Sequence, residues 1–318
     1  MIATEQDEQV ADYTGFDFRR MWERRDKVTE VERAIVRATL ADGDPRRILE
    51  VGTGFGRLLG TVTSLGREVV ATDFDVGSLE RVQVPAVESG VRVIRVAANL
   101  YHLPFVDDSL TGATMVRVYH HLMAPRVALG ELSRVLRPGS TLLVSYQPRP
   151  SAGTLIVDVQ RALRAAENGR PDSATFSRGT VIFPAAPFPI RCGDRQEFQR
   201  TALNSGFDCV REVGAGFEEY SILRRLPARL FVHGGTALGR APAFPTRFAV
   251  LRKAGESSGP LPTLSGSLAC PRCGESQPDW LDSSDVLCRN CGFVGGRRGP
   301  VLDLRWVPPG IPRRKVGA

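Results

Sequence analysis

Apolar residues recur at two different periods along this chain. From Ile48 onward, short apolar runs alternate with stretches whose apolar side chains fall three and four residues apart, a pattern that predicts strands joined by helices in βαβ units. The predicted strands span residues 48–51, 68–72, 91–96, 113–118 and 141–146. Between them Leu58, Leu59, Val62 and Leu65 form one helical face. Ala128, Leu132, Val135 and Leu136 form another, which stops at Pro138-Gly139. A helix over 196–204 and strands over 207–213 and 248–252 extend the series. The expectation is an α/β domain over 48–254 with a mostly parallel sheet of seven strands.

The flanks read differently. Residues 1–47 scatter Tyr13, Phe16, Phe18 and Trp22 among charges, and Val28, Val31 and Ile35 then share a helical face, which predicts an N-terminal helical cap. Residues 150–190 form an insertion, helical at 156–166 and proline-rich at Pro184, Pro187 and Pro189. A Gly/Ser/Pro-rich linker is expected over 255–267, a second small unit over 268–308 and a tail over 309–318.

The second unit owes its expected stability to cysteine. Cys192 and Cys209 stand alone, whereas Cys270-Pro-Arg-Cys273 and Cys288-Arg-Asn-Cys291-Gly292 match the two knuckles of a zinc ribbon. About 40 residues bury too little core to fold alone, and structural zinc contributes on the order of 10–16 kcal/mol in peptides. Four thiolates close the tetrahedral shell, so the expected Zn2+ is structural and has no open catalytic position.

Charge narrows the partners only slightly. The 318 residues carry a formal charge of +7, which invites a polyanion. Only Lys27, Lys253 and Lys315 are lysines, and residues 256–318 hold eight basic against six acidic residues, so the excess is spread out. The amino terminus is acidic where a secretory leader would be basic, and no stretch approaches the roughly 18 apolar residues of a membrane span. The expectation is a soluble, cytoplasmic protein without a membrane partner.

Candidate ligand chemistry sits after the first strand of the α/β region. Glu50-Val51-Gly52-Thr53-Gly54-Phe55-Gly56-Arg57 leads from strand to helix, where glycines permit a tight turn and the helix start offers free N–H groups. Arg57 occupies the place of the last glycine in a dinucleotide GxGxxG motif, which disfavours a nicotinamide cofactor. Asp73 ends the second strand, where a carboxylate can accept both hydroxyls of a ribose. Asp75 is its neighbour and rival, with helix capping as the competing role.

Taken in order, Ile-Leu-Glu-Val-Gly-Thr-Gly-Phe-Gly-Arg at 48–57, Val-Val-Ala-Thr-Asp at 69–73, Ala-Asn-Leu-Tyr-His-Leu-Pro-Phe at 98–105, His120-His121-Leu122 and Arg-Val-Leu-Arg-Pro-Gly at 134–139 resemble the class I S-adenosylmethionine-dependent methyltransferases. The likeness is nearest to the group that includes the quinone-biosynthesis enzymes; it is strong over 45–150 and weak over 190–253. It implies a Rossmann-like fold and S-adenosylmethionine as cofactor. It places Glu50, Gly52 and Gly54 around the methionine end, Asp73 at the ribose and Asn99 at the adenine amino group, with Thr53, Phe74 and Leu100 beside them as cofactor-binding positions. Val116, with Met115, falls on the strand passing the methionine portion. Thr111 and Ser140 depart from the family pattern, which usually has Asp and Gly there. The stretch 291–305 resembles the small zinc-binding activator subunits of translation-machinery methyltransferases, which implies an accessory role.

Methyl transfer from a sulfonium chiefly needs alignment and exclusion of water, so a base is the one variable catalytic group. His120 and His121 follow the fourth strand at the ligand-binding edge and are the candidates; fixing the loop is their alternative role. Arg20, Trp22 and Arg25 in the cap are candidates to close over the cofactor carboxylate or the acceptor; a solvated helix face is their alternative role. Met115-Val116-Arg117-Val118-Tyr119 stands where amide and adenine methylases carry Asn/Asp-Pro-Pro-Tyr, and no Pro-Cys pair follows, which points toward a small-molecule acceptor. Two other readings stay open: an enzyme acting on RNA or a translation protein through the ribbon, and a non-catalytic cofactor-binding scaffold.

Overall fold

The computed structural model describes residues 9–41, 43, 46–66, 68–83, 90–151, 155, 181–183, 190–219, 223, 225–239, 241, 243–256, 259–283 and 286–315. The predicted helix at 156–166 and the prolines at 184, 187 and 189 lie outside these residues. Strands are β1 (Val10–Asp12), β2 (Arg47–Val51), β3 (Glu68–Asp73), β4 (Arg92–Ala97), β5 (Leu110–Met115), β6 (Leu136–Pro148), β7 (Val181–Phe183), β8 (Ile190–Gly193), β9 (Phe207–Ala215), β10 (Thr246–Lys253), β11 (Gly296–Arg298), β12 (Val301–Asp303) and β13 (Arg313–Lys315). Helices are α1 (Phe18–Trp22), α2 (Asp26–Leu40), α3 (Leu59–Thr63), α4 (Val76–Arg81), α5 (Pro125–Val135), α6 (Arg195–Asn204) and α7 (Ala228–Ala237).

The main sheet runs β11-β12-β4-β3-β2-β5-β6-β10-β9. Its seven central strands are those expected, parallel except for β10, which is antiparallel to both neighbours. The expectation of a plain seven-stranded sheet is corrected at both ends. On the β4 side β12 adds in parallel, pairing Val301 with Arg95 and Asp303 with Ala97, and β11 follows antiparallel. On the β6 side the strand runs past the core to Pro148 and pairs with β8, which pairs with β7. A three-residue strand such as β12 carries no periodic signal, because its identity comes from the edge it completes.

Alternation along the strands sends side chains to two cores. Leu49 and Val70 face one layer with Leu129, Leu132 and Val135 of α5 and Phe198 of α6. Ile48, Val69 and Ala71 face the other, with Val31, Ile35 and Val36 of α2, Leu59 and Val62 of α3, Leu79 of α4 and Ala228 of α7. Leu268, Trp280, Phe293 and Leu304 from the C-terminal segment join the α5 layer, so the cysteine unit shares one continuous core with the α/β region.

β5 ends at Met115, short of the predicted 118. Arg117 has left the strand for the left-handed region (φ 62), with its N–H donated to Ser145 Oγ at 2.7 Å. The unexpected Thr111 has a structural role: its hydroxyl accepts from Arg47 N–H at 2.8 Å, at the ends of β2 and β5 remote from their carboxyl termini. Among the described residues no helix is long and apolar enough to cross a membrane.

Candidate functional site

The parallel strands β2, β3, β4 and β5 end on one side, and a cavity of about 400 Å³ opens there. Its floor is the glycine turn. Gly52 (φ +69) and Gly54 (φ +54) adopt the left-handed backbone that favours glycine. A Cβ on Gly52 would sit 2.3 Å from Val118 Cγ2, whereas one on Gly54 would meet nothing within 4 Å, so the turn is crowded on one side and open on the other.

Asp73 binds this turn to β3. Its Oδ2 accepts Gly54 N–H at 2.8 Å and its Oδ1 accepts Asp75 N–H at 3.0 Å. Burial pushes its carboxyl above the ordinary range, against the pull of those two amides. A carboxylate has about four acceptor positions, so Asp73 is not filled by these amides and can still accept from a ligand hydroxyl. Asp75 is fully engaged as the α4 cap, accepting from Gly77 N–H, Ser78 N–H and the Ser78 hydroxyl. Helix capping, the competing role, is therefore what Asp75 does.

Glu50 lies at the end of β2, 4% exposed, with Oε2 3.2 Å from the Thr53 hydroxyl. Burial raises its pKa from 4.5 to about 8, although Thr53 and Arg57 oppose the shift. Beyond β4, Asn99 is held at both ends of its amide: Oδ1 accepts Tyr101 N–H at 3.1 Å and Nδ2 donates to the Trp306 carbonyl at 3.0 Å. The N–H and C=O partners fix which end is oxygen, leaving one lone pair and one hydrogen for a ligand.

All nine positions that the resemblance assigned to the cofactor, Glu50, Gly52, Thr53, Gly54, Asp73, Phe74, Asn99, Leu100 and Val116, line this single cavity. Met115 faces the core instead. His120 and His121 line the cavity too, with their rings 3.9 Å apart. His120 is 6% exposed, its Nδ1 has no hydrogen-bond partner, and burial beside His121 and Arg117 lowers its pKa well below the usual value. It is a neutral imidazole.

The N-terminal segment closes the cavity through Tyr13, Phe18, Met21, Trp22 and Arg25, while Arg20 does not line it. Behind that wall lies a buried charge cluster that was not foreseen. Glu32 of α2 is fully buried and pairs with Arg57 at 2.5 Å and Arg117 at 2.7 Å. Burial alone would raise the Glu32 carboxyl, but Arg117 and Arg57 hold it below the ordinary range. The Arg57 guanidinium lies 3.8 Å from the centre of the Trp22 ring, with Arg25 at 5.5 Å and Arg117 at 5.8 Å. A sequence signal existed: Glu32 interrupts the apolar face of Val28, Val31, Ile35 and Val36, and an acid there requires a buried partner.

The four predicted metal ligands come together. The Sγ atoms of Cys270, Cys273, Cys288 and Cys291 all lie within 4.8 Å of one another. Cys270–Cys291 and Cys273–Cys288 are each 3.6 Å apart, close to the about 3.8 Å required of tetrahedral sulfurs 2.3 Å from zinc. The two knuckles repeat one geometry: Cys270 N–H donates to Glu275 O and Cys288 N–H to Phe293 O, both at 2.8 Å, with Gly274 (φ 76) and Gly292 (φ 72) at matching turns. Four soft ligands so arranged fit Zn2+.

Residues 49–144 match the profile of the family described as a methyltransferase domain. Similarity to curated proteins is partial. A demethylmenaquinone methyltransferase of Thermus thermophilus is 33% identical over 141 residues, 44% of this chain and 59% of that protein. An uncharacterised protein of Mycobacterium tuberculosis is 28% identical over 151 residues, 46% of this chain and 54% of its own. The chain thus spans a little over half the length of these curated relatives. One chain of a solved complex between the Haloferax volcanii Trm112 methyltransferase activator and a methyltransferase is 14% identical, with 76% of this chain and 97% of that one aligned at a TM-score of 0.48.

Proposed function

We propose that this chain binds S-adenosylmethionine at the carboxyl ends of β2–β5 and transfers the methyl group to an apolar small-molecule acceptor. The observation that carries the reading is the glycine turn tied to Asp73 at the mouth of a cavity, inside the stretch that matches the methyltransferase family. The residues fit that cofactor. Gly54 leaves backbone open to the cavity, Asp73 keeps acceptor positions for the ribose, and Asn99 keeps one of each kind for the adenine edge. Arg25 lines the cavity and makes no ion pair with any described residue, so it suits the methionine carboxylate.

Bound there, the cofactor supplies a methyl carbon already activated by its sulfonium. The chain's own part is to orient and to exclude water, which Tyr13, Phe18, Met21 and Trp22 do by covering the site. His120, neutral and lining the cavity, is the candidate to accept a proton from the acceptor atom as it is methylated. The aromatic and aliphatic lining favours a planar apolar acceptor, as does the quinone named in the Thermus thermophilus relative. Zn2+ on the four cysteines holds the C-terminal segment together.

The test is calorimetric binding of S-adenosylhomocysteine, expected for the parent and weakened at least tenfold by Asp73→Asn. Incubation of cell extract with methyl-labelled cofactor should then label an organic-soluble product. Label in RNA or protein instead would overturn the small-molecule assignment, and no binding would overturn the enzyme.

A further inference from the structure

The walls of the cavity are held from behind by residues that come long after them in the chain. Strand β12 begins at Val301, after β11, and it completes the edge of β4.

 Leu304 N–H then donates to Ala97 O at 2.9 Å, which brings the chain level with Asn99. The Trp306 carbonyl takes the Asn99 amide, and Arg305 Nη1 donates to the Phe74 carbonyl at 3.2 Å. Arg305 is itself aimed by Asp303, at 2.8 and 2.7 Å, and its guanidinium lies 5.3 Å from the Phe74 ring centre. Arg313 lies 5.7 Å from the same ring, and β13 pairs with β1, whose Val10 and Ala11 line the cavity.

Three separate parts of the nucleoside end, Phe74, Asn99 and β1, are thus fixed by one segment, residues 304–315. That segment is continuous with the cysteine unit through β11 and β12. Cys270 and Cys288 are buried in the same core as Leu302 and Leu304, so losing the cluster loosens the packing that places β12 on β4.

Resting on the cofactor reading above, we propose that Arg305 and the Trp306 carbonyl are positioning groups for the nucleoside end of the cavity, and that metal on the four cysteines sets its affinity. Phe74 and Asn99 touch the ligand; Arg305 and Trp306 act only through them. Binding linkage is reciprocal, so the cofactor must also tighten the metal by the same factor.

The experiment uses the full chain, S-adenosylhomocysteine and zinc. Calorimetry is run on zinc-loaded protein, on protein stripped by a chelator and on stripped protein reloaded with zinc. Stripping should weaken binding at least tenfold, and reloading should restore it. Because the stripped chain can unfold as a whole, Arg305→Ala is measured at full zinc content and parental circular dichroism, with an expected loss of about five- to tenfold and partial rescue by Arg305→Lys. Saturating S-adenosylhomocysteine should slow zinc transfer to a chromophoric chelator. Unchanged affinity in either the stripped protein or Arg305→Ala overturns the proposal and leaves the cofactor reading intact. Failure of zinc-loaded parent to bind overturns both.

Discussion

Glu50 should make cofactor binding depend on pH. In the proposed function the cofactor tail carries an ammonium and a sulfonium and lies beside Glu50, whose carboxyl keeps its proton up to about pH 8 because burial disfavours its charged form. Binding a cation beside it therefore requires that proton to leave. At pH 7 ionisation costs about 1.4 kcal/mol, so affinity is about tenfold below the plateau reached above pH 8. Calorimetry with a stable amine analogue of the cofactor, in two buffers of different ionisation enthalpy, should show release of nearly one proton at pH 7. Glu50→Gln should flatten the profile. The sign for folding is opposite. A carboxyl whose folded pKa is raised has its full stability below the unfolded value of 4.5 and loses it as pH rises to about 8. At about 1.4 kcal/mol per pH unit the loss is on the order of 5 kcal/mol, so ligand-free Glu50→Gln should outlast the parent in urea at pH 8 but not at pH 4. Affinity that stays flat from pH 6.5 to 8.5, with no buffer-dependent heat, would refute the reasoning.

Two further substitutions test the architecture around the cavity. Glu32→Ala strands the Arg57 and Arg117 guanidiniums without their shared carboxylate and should cost about 3–5 kcal/mol, read as a lower urea midpoint. Gly52→Ala places a Cβ 2.3 Å from Val118 Cγ2 in a left-handed backbone; it should lower stability by more than about 1 kcal/mol and weaken S-adenosylhomocysteine binding more than tenfold.

The turn, Asp73 and the four cysteines were legible because each is local: a glycine's φ, a strand end and a CxxC spacing are properties of a few consecutive residues. The central strands were legible because five or six residues of alternating or continuous burial leave a pattern. What was hidden depends on distance. Nothing near Asn99 announces the Trp306 carbonyl, and nothing in Val301–Asp303 announces an edge strand, since both are set by surfaces assembled elsewhere. Arg117 was read as strand because its apolar neighbours alternate; the pull of Ser145 and Glu32 that takes it out is tertiary. Glu32 is the exception, a charge on the buried α2 face whose partners, Arg57 and Arg117, lie 25 and 85 residues away.

The pairing of β12 with β4 also bears on how the chain is made. Asn99 leaves the ribosome 207 residues ahead of Trp306, and through that interval β4 has an open outer edge, a template that any passing strand can extend. The partner that finally covers it belongs to the same polypeptide and arrives at high local concentration, so the nascent protein is protected from its neighbours by its own later residues.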